Sequence, residues 1–211
     1  METASIRAVG FDLDNTLVDR DGAFRRLMDS WVGQDALDEV AAKDSHGISC
    51  RAAFFDWLAL RFPQLDGDLW GRFQREIADF VEPIPGVAPL LQGLTDEGFA
   101  VAILSNGGSK LQRAKLAAAG LERWFPPDRI LISEEIGFEK PDPRAFAALR
   151  EVLSSDEVLF VGDQLDADIK GAKRAGLQAC WLGGDRSEAL ADSVIARITD
   201  LEHLLLSSHD S

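Results

Sequence analysis

Two carboxylates one residue apart, Asp12 and Asp14, follow directly on the apolar run Ile6–Phe11, within the stretch Val9-Gly10-Phe11-Asp12-Leu13-Asp14-Asn15-Thr16-Leu17. Aspartate is a poor strand residue, so the pair marks the point where a buried strand ends. Alternate side chains of an extended backbone share a face, which puts Asp12 and Asp14 on one side and Leu13 on the other. Asn15 tolerates a left-handed turn, and Thr16 adds a hydroxyl donor. Acids and a hydroxyl at a strand end suit phosphate chemistry. Taken alone, a strand-to-loop turn with chance acids accounts for the stretch equally well.

Downstream the same placement recurs. The apolar run Phe99–Leu104 ends in Ser105-Asn106-Gly107-Gly108, and Val158–Val161 ends in Gly162-Asp163, with Asp166 and Asp168 following. In open parallel sheets ligands bind at the C-terminal edge of the strands, so these groups would converge on one crevice. Lys140-Pro141-Asp142-Pro143 places a lysine just before a proline-initiated helix. Each group also has a plainer role. Ser105 and Asn106 could cap a helix, Asp163 and Asp168 could cap the next one, and Lys140 could be a surface lysine. Two acids at a buried strand end with no cation are costly, which favours a site at Asp12 and Asp14. Asp142 and Asp166 read as solvated or capping acids, and His46, His203 and His209 show no partner pattern.

The elements that must position these residues are of two kinds. From Asp21 to Val81 the periodicity is helical. Phe24, Leu27, Met28 and Trp31 share one face, and Leu69, Trp70, Phe73, Ile77 and Phe80 share another. Ala53, Phe54, Trp57, Leu58 and Leu60 form a third helix, ended by Pro63. The aromatic residues between Phe54 and Phe80 read as a small helical core rather than a cofactor box. Glu82-Pro83-Ile84-Pro85-Gly86 closes this insertion. From there strands and helices alternate. Strands are expected at Phe99–Leu104, Arg129–Ile132, Val158–Val161 and Gln178–Leu182, with helices at Ser109–Ala119, Pro143–Leu153, Ala167–Ala175 and Leu201–Leu206. Strands joined by such helices imply an α/β fold with a doubly wound parallel sheet, to which Ile6–Phe11 belongs. The expected domains are a Rossmann-like core over 1–17 and 86–211 and an all-helical cap over 18–85. Ser207–Ser211 are expected to fray.

Composition narrows the partners. A net charge of −14 repels nucleic acid and anionic membrane surfaces, so a small anionic substrate needs a metal cation or placed basic residues. Cys50 and Cys180 provide no disulfide framework or metal-ligand spacing and read as two small buried thiols in a reducing compartment. No basic region followed by an apolar stretch opens the chain, and no apolar run spans a bilayer. A cytoplasmic protein is expected.

Together the motifs resemble those of the haloacid dehalogenase-like hydrolase superfamily, in its phosphatase branch. Asp12-Leu13-Asp14-Asn15-Thr16 matches the family's Asp-x-Asp-x-Thr. Ser105 matches its Ser or Thr after an apolar strand, Lys140 its lysine, and Gly162, Asp163 and Asp168 its Gly-Asp-x-x-x-x-Asp. The helical insertion between the first two motifs resembles the family's type 1 cap. The resemblance implies Asp12 as nucleophile, transiently phosphorylated, and Asp14 as general acid and base. It implies Mg²⁺ held by a carboxylate oxygen of Asp12, the main-chain carbonyl of Asp14 and a carboxylate of Asp163. Thr16, Ser105 and the amide of Asn106 would serve the substrate, Lys140 would neutralise charge, and Asp168 would support the site. Asn15 stands where many members carry Gly. Asp14 is absent from the metal-independent dehalogenases of the family, so its presence shifts the expectation to a small phosphorylated metabolite as substrate. A phosphosugar mutase, a dehalogenase and a non-catalytic binding module stay open as alternatives. Among the insertion's arginines, Arg20 and Arg25 lie nearest the hinge and are the candidates to touch a leaving group, against a default of solvated helix faces.

Overall fold

The computed structural model describes residues 6–47, 50–184 and 190–206. The chain forms two compact units, one of Met1–Val18 with Pro83–Ser211 and one of Asp19–Glu82. The first is built on six strands: β1 (Ala8–Phe11), β2 (Ala100–Ser105), β3 (Ile130–Ile132), β4 (Val158–Gly162), β5 (Gln178–Leu182) and β6 (Ser193–Ile195). They lie in the order β3-β2-β1-β4-β5-β6, every pairing parallel. This is the doubly wound, Rossmann-like arrangement, whose strand order reverses beside β1. The crevice outside its carboxyl ends is where such sheets bind ligands.

Both central strands are buried along their whole length, which is why they read as continuous apolar runs. Phe11 pairs with Ile103 on one side and Val161 on the other. One more bond, Asp12 N–H to Val161 O at 2.9 Å, carries the pairing a residue past the end of β1. Asp12 is therefore held in register with the end of β4. Beyond it Asn15 takes the left-handed conformation at φ 59°, and Leu17 and Val18 donate to Leu13 O, which turns the chain back on itself.

The second unit holds α1 (Arg20–Val32), α2 (Leu37–Asp44), α3 (Arg51–Arg61) and α4 (Leu69–Glu76), with a tight 3₁₀ turn over Ile77–Phe80. Most of its aromatic residues are core, with Trp57, Trp70 and Phe80 partly exposed. Phe24, Phe54, Phe55 and Phe73 are buried, with Phe54 and Phe55 edge to face at 5.0 Å and Trp70 stacked on Phe73 at 5.7 Å. Helix α2 is not foreseen from the sequence, because only Leu37 and Val40 among its apolar residues are buried and so brief a pattern carries little periodicity.

In the sheet unit the remaining helices are α5 (Val87–Asp96), α6 (Ser109–Ala118), α7 (Ser133–Ile136), α8 (Pro143–Leu153), α9 (Lys170–Arg174) and α10 (Asp200–Leu205). Helix α5 also goes unforeseen. Val87, Leu90, Leu91 and Leu94 form its buried face, but Pro89 in the first turn, where proline is tolerated, hides the pattern. The three-residue β6 is too short to be legible. The helix expected from Ala167 instead opens with a π-helical turn, Leu165–Ile169, before α9. The boundaries expected at 17/18 and 85/86 fall at 18/19 and 82/83. Asp19 N–H donates to Glu82 O within the helical unit, while Ile84 N–H donates to Leu17 O within the sheet unit.

Cys180 is buried but Cys50 is exposed, so only one of the two expected buried thiols is one. Among the described residues no helix is long and apolar enough to cross a membrane. The expectation for Ser207–Ser211, and His209 with it, falls outside the described residues.

Candidate active site

The C-terminal ends of β1 and β4 bring three carboxylates together. One oxygen from each of Asp12, Asp163 and Asp168 lies within 4.8 Å of the others. Asp12 is only 4% exposed. Lys140, equally buried, reaches in with its ammonium 2.5 Å from Asp12 Oδ1 and 2.8 Å from Asp168 Oδ1. Among the described residues one cation thus faces three acids.

The electrostatics follow from that count. Burial, reinforced by Asp168 and Asp163, holds the Asp12 carboxyl well above the usual carboxylate range against the opposing pull of Lys140. Burial and then Asp168 push Asp163 up to about 7. Burial disfavours the Lys140 ammonium, but Asp12 and Asp168 outweigh it and the pKa rises. The cluster is short of positive charge. Asp163 Oδ1 is buried with no hydrogen-bond partner among the described residues, an oxygen that a cation would satisfy. Hard carboxylate oxygens at this spacing fit Mg²⁺.

Neighbours hold the segments that carry these side chains. Asp168 Oδ2 accepts from Gln164 N–H at 3.0 Å, a bond made by the π-helical turn. That carboxylate packs against Gly162, where a Cβ would lie 2.3 Å from Asp168 Oδ2; only glycine leaves it room. The Trp181 indole donates to Asp163 O at 2.9 Å. Asn106 grips the main chain of Lys140 from both sides. Its Nδ2 donates to Lys140 O and its Oδ1 accepts from Lys140 N–H, each at 2.7 Å.

Ser105, at the end of β2, is buried, and its Oγ accepts from Gln112 Nε2 at 2.6 Å. Its own O–H is left to donate, as a contact to a phosphate oxygen requires. Thr16 is fully buried and its hydroxyl has no hydrogen-bond partner among the described residues. Asp14 is turned to α6. Both its oxygens accept from Lys115 Nζ, at 2.8 and 2.7 Å, and Oδ2 also accepts from Gln112 Nε2 at 3.1 Å.

Asp168 pairs with Lys140 and accepts from Gln164 N–H across the π-helical turn. Asp142 caps α8 by accepting from Arg144 N–H, and Asp166 pairs with Lys170 at the surface. Arg20 and Arg25 belong to the helical unit. Arg25 is exposed and paired with Asp38 at 3.0 Å. Arg20 is not the solvated arginine of the default expectation. It is buried, binds Asp44 through both terminal nitrogens and lies over the Phe24 ring. Both arginines line a cavity of about 280 Å³ within that unit, together with Phe24, Asp38, Asp44 and His46. His46, for which no partner was expected, pairs with Asp21.

Sequence reasoning misses Gln112, Lys115 and Trp181. The available signal was on α6, whose buried face alternates Leu111 and Leu116 with Gln112 and Lys115. Polar residues on the inner stripe of a helix need partners.

Residues 6–176 match the haloacid dehalogenase-like hydrolase family. The chain is 34% identical to the pyrimidine 5′-nucleotidase YjjG of Escherichia coli, over 92% of this chain and 96% of that protein. It is 32% identical to a glyceraldehyde 3-phosphate phosphatase of Methanopyrus kandleri, over 82% of each. The magnesium-bound HAD-hydrolase YfnB of Bacillus subtilis superposes with a TM-score of 0.77 at 27% identity, over 96% of this chain and all of that one.

Proposed function

Because the chain belongs to the haloacid dehalogenase-like hydrolase family, we propose that it hydrolyses small phosphomonoesters through a phosphoryl group carried transiently on Asp12. The observation that carries this reading is the buried cluster of Asp12, Asp163, Asp168 and Lys140 at the ends of the two central strands. Asp12, Asp163 and the main-chain carbonyl of Asp14 would hold Mg²⁺. When bound, the ion supplies the positive charge that screens the anionic ester from the anionic nucleophile.

The chain's own groups divide the work. An Asp12 carboxylate oxygen attacks phosphorus as the bond to the ester oxygen breaks, and Asp14 gives that oxygen a proton, releasing the alcohol. Asp14, now ionised, takes a proton from water as that water attacks phosphorus, and the bond to Asp12 breaks to give inorganic phosphate. Ser105 donates to a phosphate oxygen. Lys140 holds the Asp12 carboxylate in place and offsets charge on the transferring group.

Support for a phosphate ester over a carbon–halogen bond comes from Asp14 and from relatives named as phosphatases and nucleotidases. The test is phosphate release from a panel of sugar phosphates, nucleoside monophosphates and small acid phosphates, with and without Mg²⁺. Turnover that needs Mg²⁺ and disappears in Asp12→Asn is expected. Turnover that survives Asp12→Asn, or conversion of a sugar phosphate to its isomer without phosphate release, would overturn it.

A further inference from the structure

Helix α6 contributes none of the groups that act on phosphorus, yet it spends two buried polar side chains on the site. Lys115 and Gln112 stand one turn apart on its inner face. Lys115, 4% exposed, makes a charge-assisted bond to each oxygen of Asp14, a residue 101 positions earlier in the chain. Gln112 Nε2 faces Asp14 Oδ2, Ser105 Oγ and Asn106 O at 3.1, 2.6 and 3.3 Å. One amide therefore links the acid–base carboxylate to the hydroxyl at the end of β2. Gly107, at φ 140°, lies against this amide, where a Cβ would sit 3.2 Å from the Gln112 side chain.

A purely stabilising role explains this poorly. Buried ion pairs contribute little net stability compared with apolar residues of the same size. What the pair does provide is orientation. Proton transfer demands a carboxylate fixed to within a fraction of an ångström.

We propose that Lys115, braced by Gln112, is the positioning residue of Asp14, holding the carboxylate from α6 in the orientation from which it serves the leaving group. The proposal rests on the phosphatase reading above, in which Asp14 is the acid and base.

The experiment compares wild type, Lys115→Met, Lys115→Arg, Asp14→Asn and the Lys115→Met/Asp14→Asn double variant. Each is mixed in excess with 4-nitrophenyl phosphate or glycerol phosphate plus Mg²⁺, and first-turnover release of the alcohol is followed. Nitrophenolate leaves without a proton, whereas the glycerol alkoxide does not. Lys115→Met should therefore lose on the order of 100-fold on glycerol phosphate, within what a general acid contributes. Its single-turnover release of nitrophenolate should fall far less. Lys115→Arg should recover part of the loss, and Lys115→Met should cost nothing further in the Asp14→Asn background. Equal losses on both esters, or a full additional loss in the Asp14→Asn background, would overturn the proposal.

Crystal structures of wild type and Lys115→Met supply a readout that needs no turnover. The Asp14 carboxylate should shift from its wild-type orientation while Asp12, Lys140 and Asp163 keep theirs. An unmoved Asp14 carboxylate refutes the positioning role even if no ester is hydrolysed, and absence of Mg²⁺-dependent turnover in wild type refutes the phosphatase reading alone.

Discussion

Replacing Lys140 by methionine keeps the length of the side chain and removes the one cation that, among the described residues, contacts Asp12 and Asp168. Both carboxylates are buried, so each is left without that neutralising partner in a poorly solvated place. Removing one member of a buried pair costs about 3–5 kcal/mol. For a chain of this size each kcal/mol moves Tm by about 2–4 °C, so a fall of roughly 6–20 °C is expected near pH 8. The loss must depend on pH. Asp12 and Asp163 already have folded-state pKa values above the unfolded one, Asp163 at about 7. A carboxyl raised on folding binds its proton more tightly in the folded state, so stability declines as pH rises toward the folded value. Without Lys140 these values climb further and the decline steepens. The deficit of Lys140→Met should therefore be largest near pH 8 and shrink by about pH 5, where the acids take up protons. Thermal unfolding by circular dichroism at the two pH values, in a chelator, reads this directly. A deficit equal at both, or none at either, would refute the claim that this lysine is the cluster's counter-charge.

The remaining expectations concern the same frame. Gly162→Ala puts a Cβ 2.3 Å from Asp168 Oδ2 and 2.6 Å from its Cβ, so Asp168 must leave its bonds to Gln164 and Lys140. A loss of about 1–3 kcal/mol in urea unfolding is expected, with weaker Mg²⁺ binding by calorimetry. Magnesium should raise Tm more above pH 7 than below it, because Asp163 must shed a proton whose pKa is about 7 before it can ligate; a shift independent of pH would exclude Asp163 as a ligand. Arg20→Ala should lower Tm, with a loss of about 1–3 kcal/mol, because buried Asp44 loses a two-nitrogen partner while keeping Arg51 and the Gly47 N–H. An unchanged Tm would remove Arg20 from the scaffold of the helical unit.

Much of the sheet unit was legible because its signals are local. The apolar runs of β1, β2 and β4 are continuous since both faces of those strands are covered, and each ends in the polar residue that reaches the crevice. Asp12, Asp163 and Lys140 could be read from those ends and from motif order. Helices with short or proline-interrupted patterns, α2 and α5, were not legible, and neither was the split of the last long helix into a π-helical turn and α9. That split sets Asp168 against Gly162 and Lys140, and spacing alone does not reveal it.

The amino-acid order by itself determined where acids follow buried strands, because periodicity and strand breaking act over a few neighbouring residues. Tertiary structure alone decided which charges meet. Asp14 pairs with Lys115, Asn106 grips the main chain of Lys140, and Arg20 is committed to Asp44. The partners in these pairs lie 101, 34 and 24 residues apart, and a polar side chain on a helix looks the same in the sequence whether it faces water or a carboxylate. Coulomb energy depends on distance through space, which the chain acquires only when the strands fall into register.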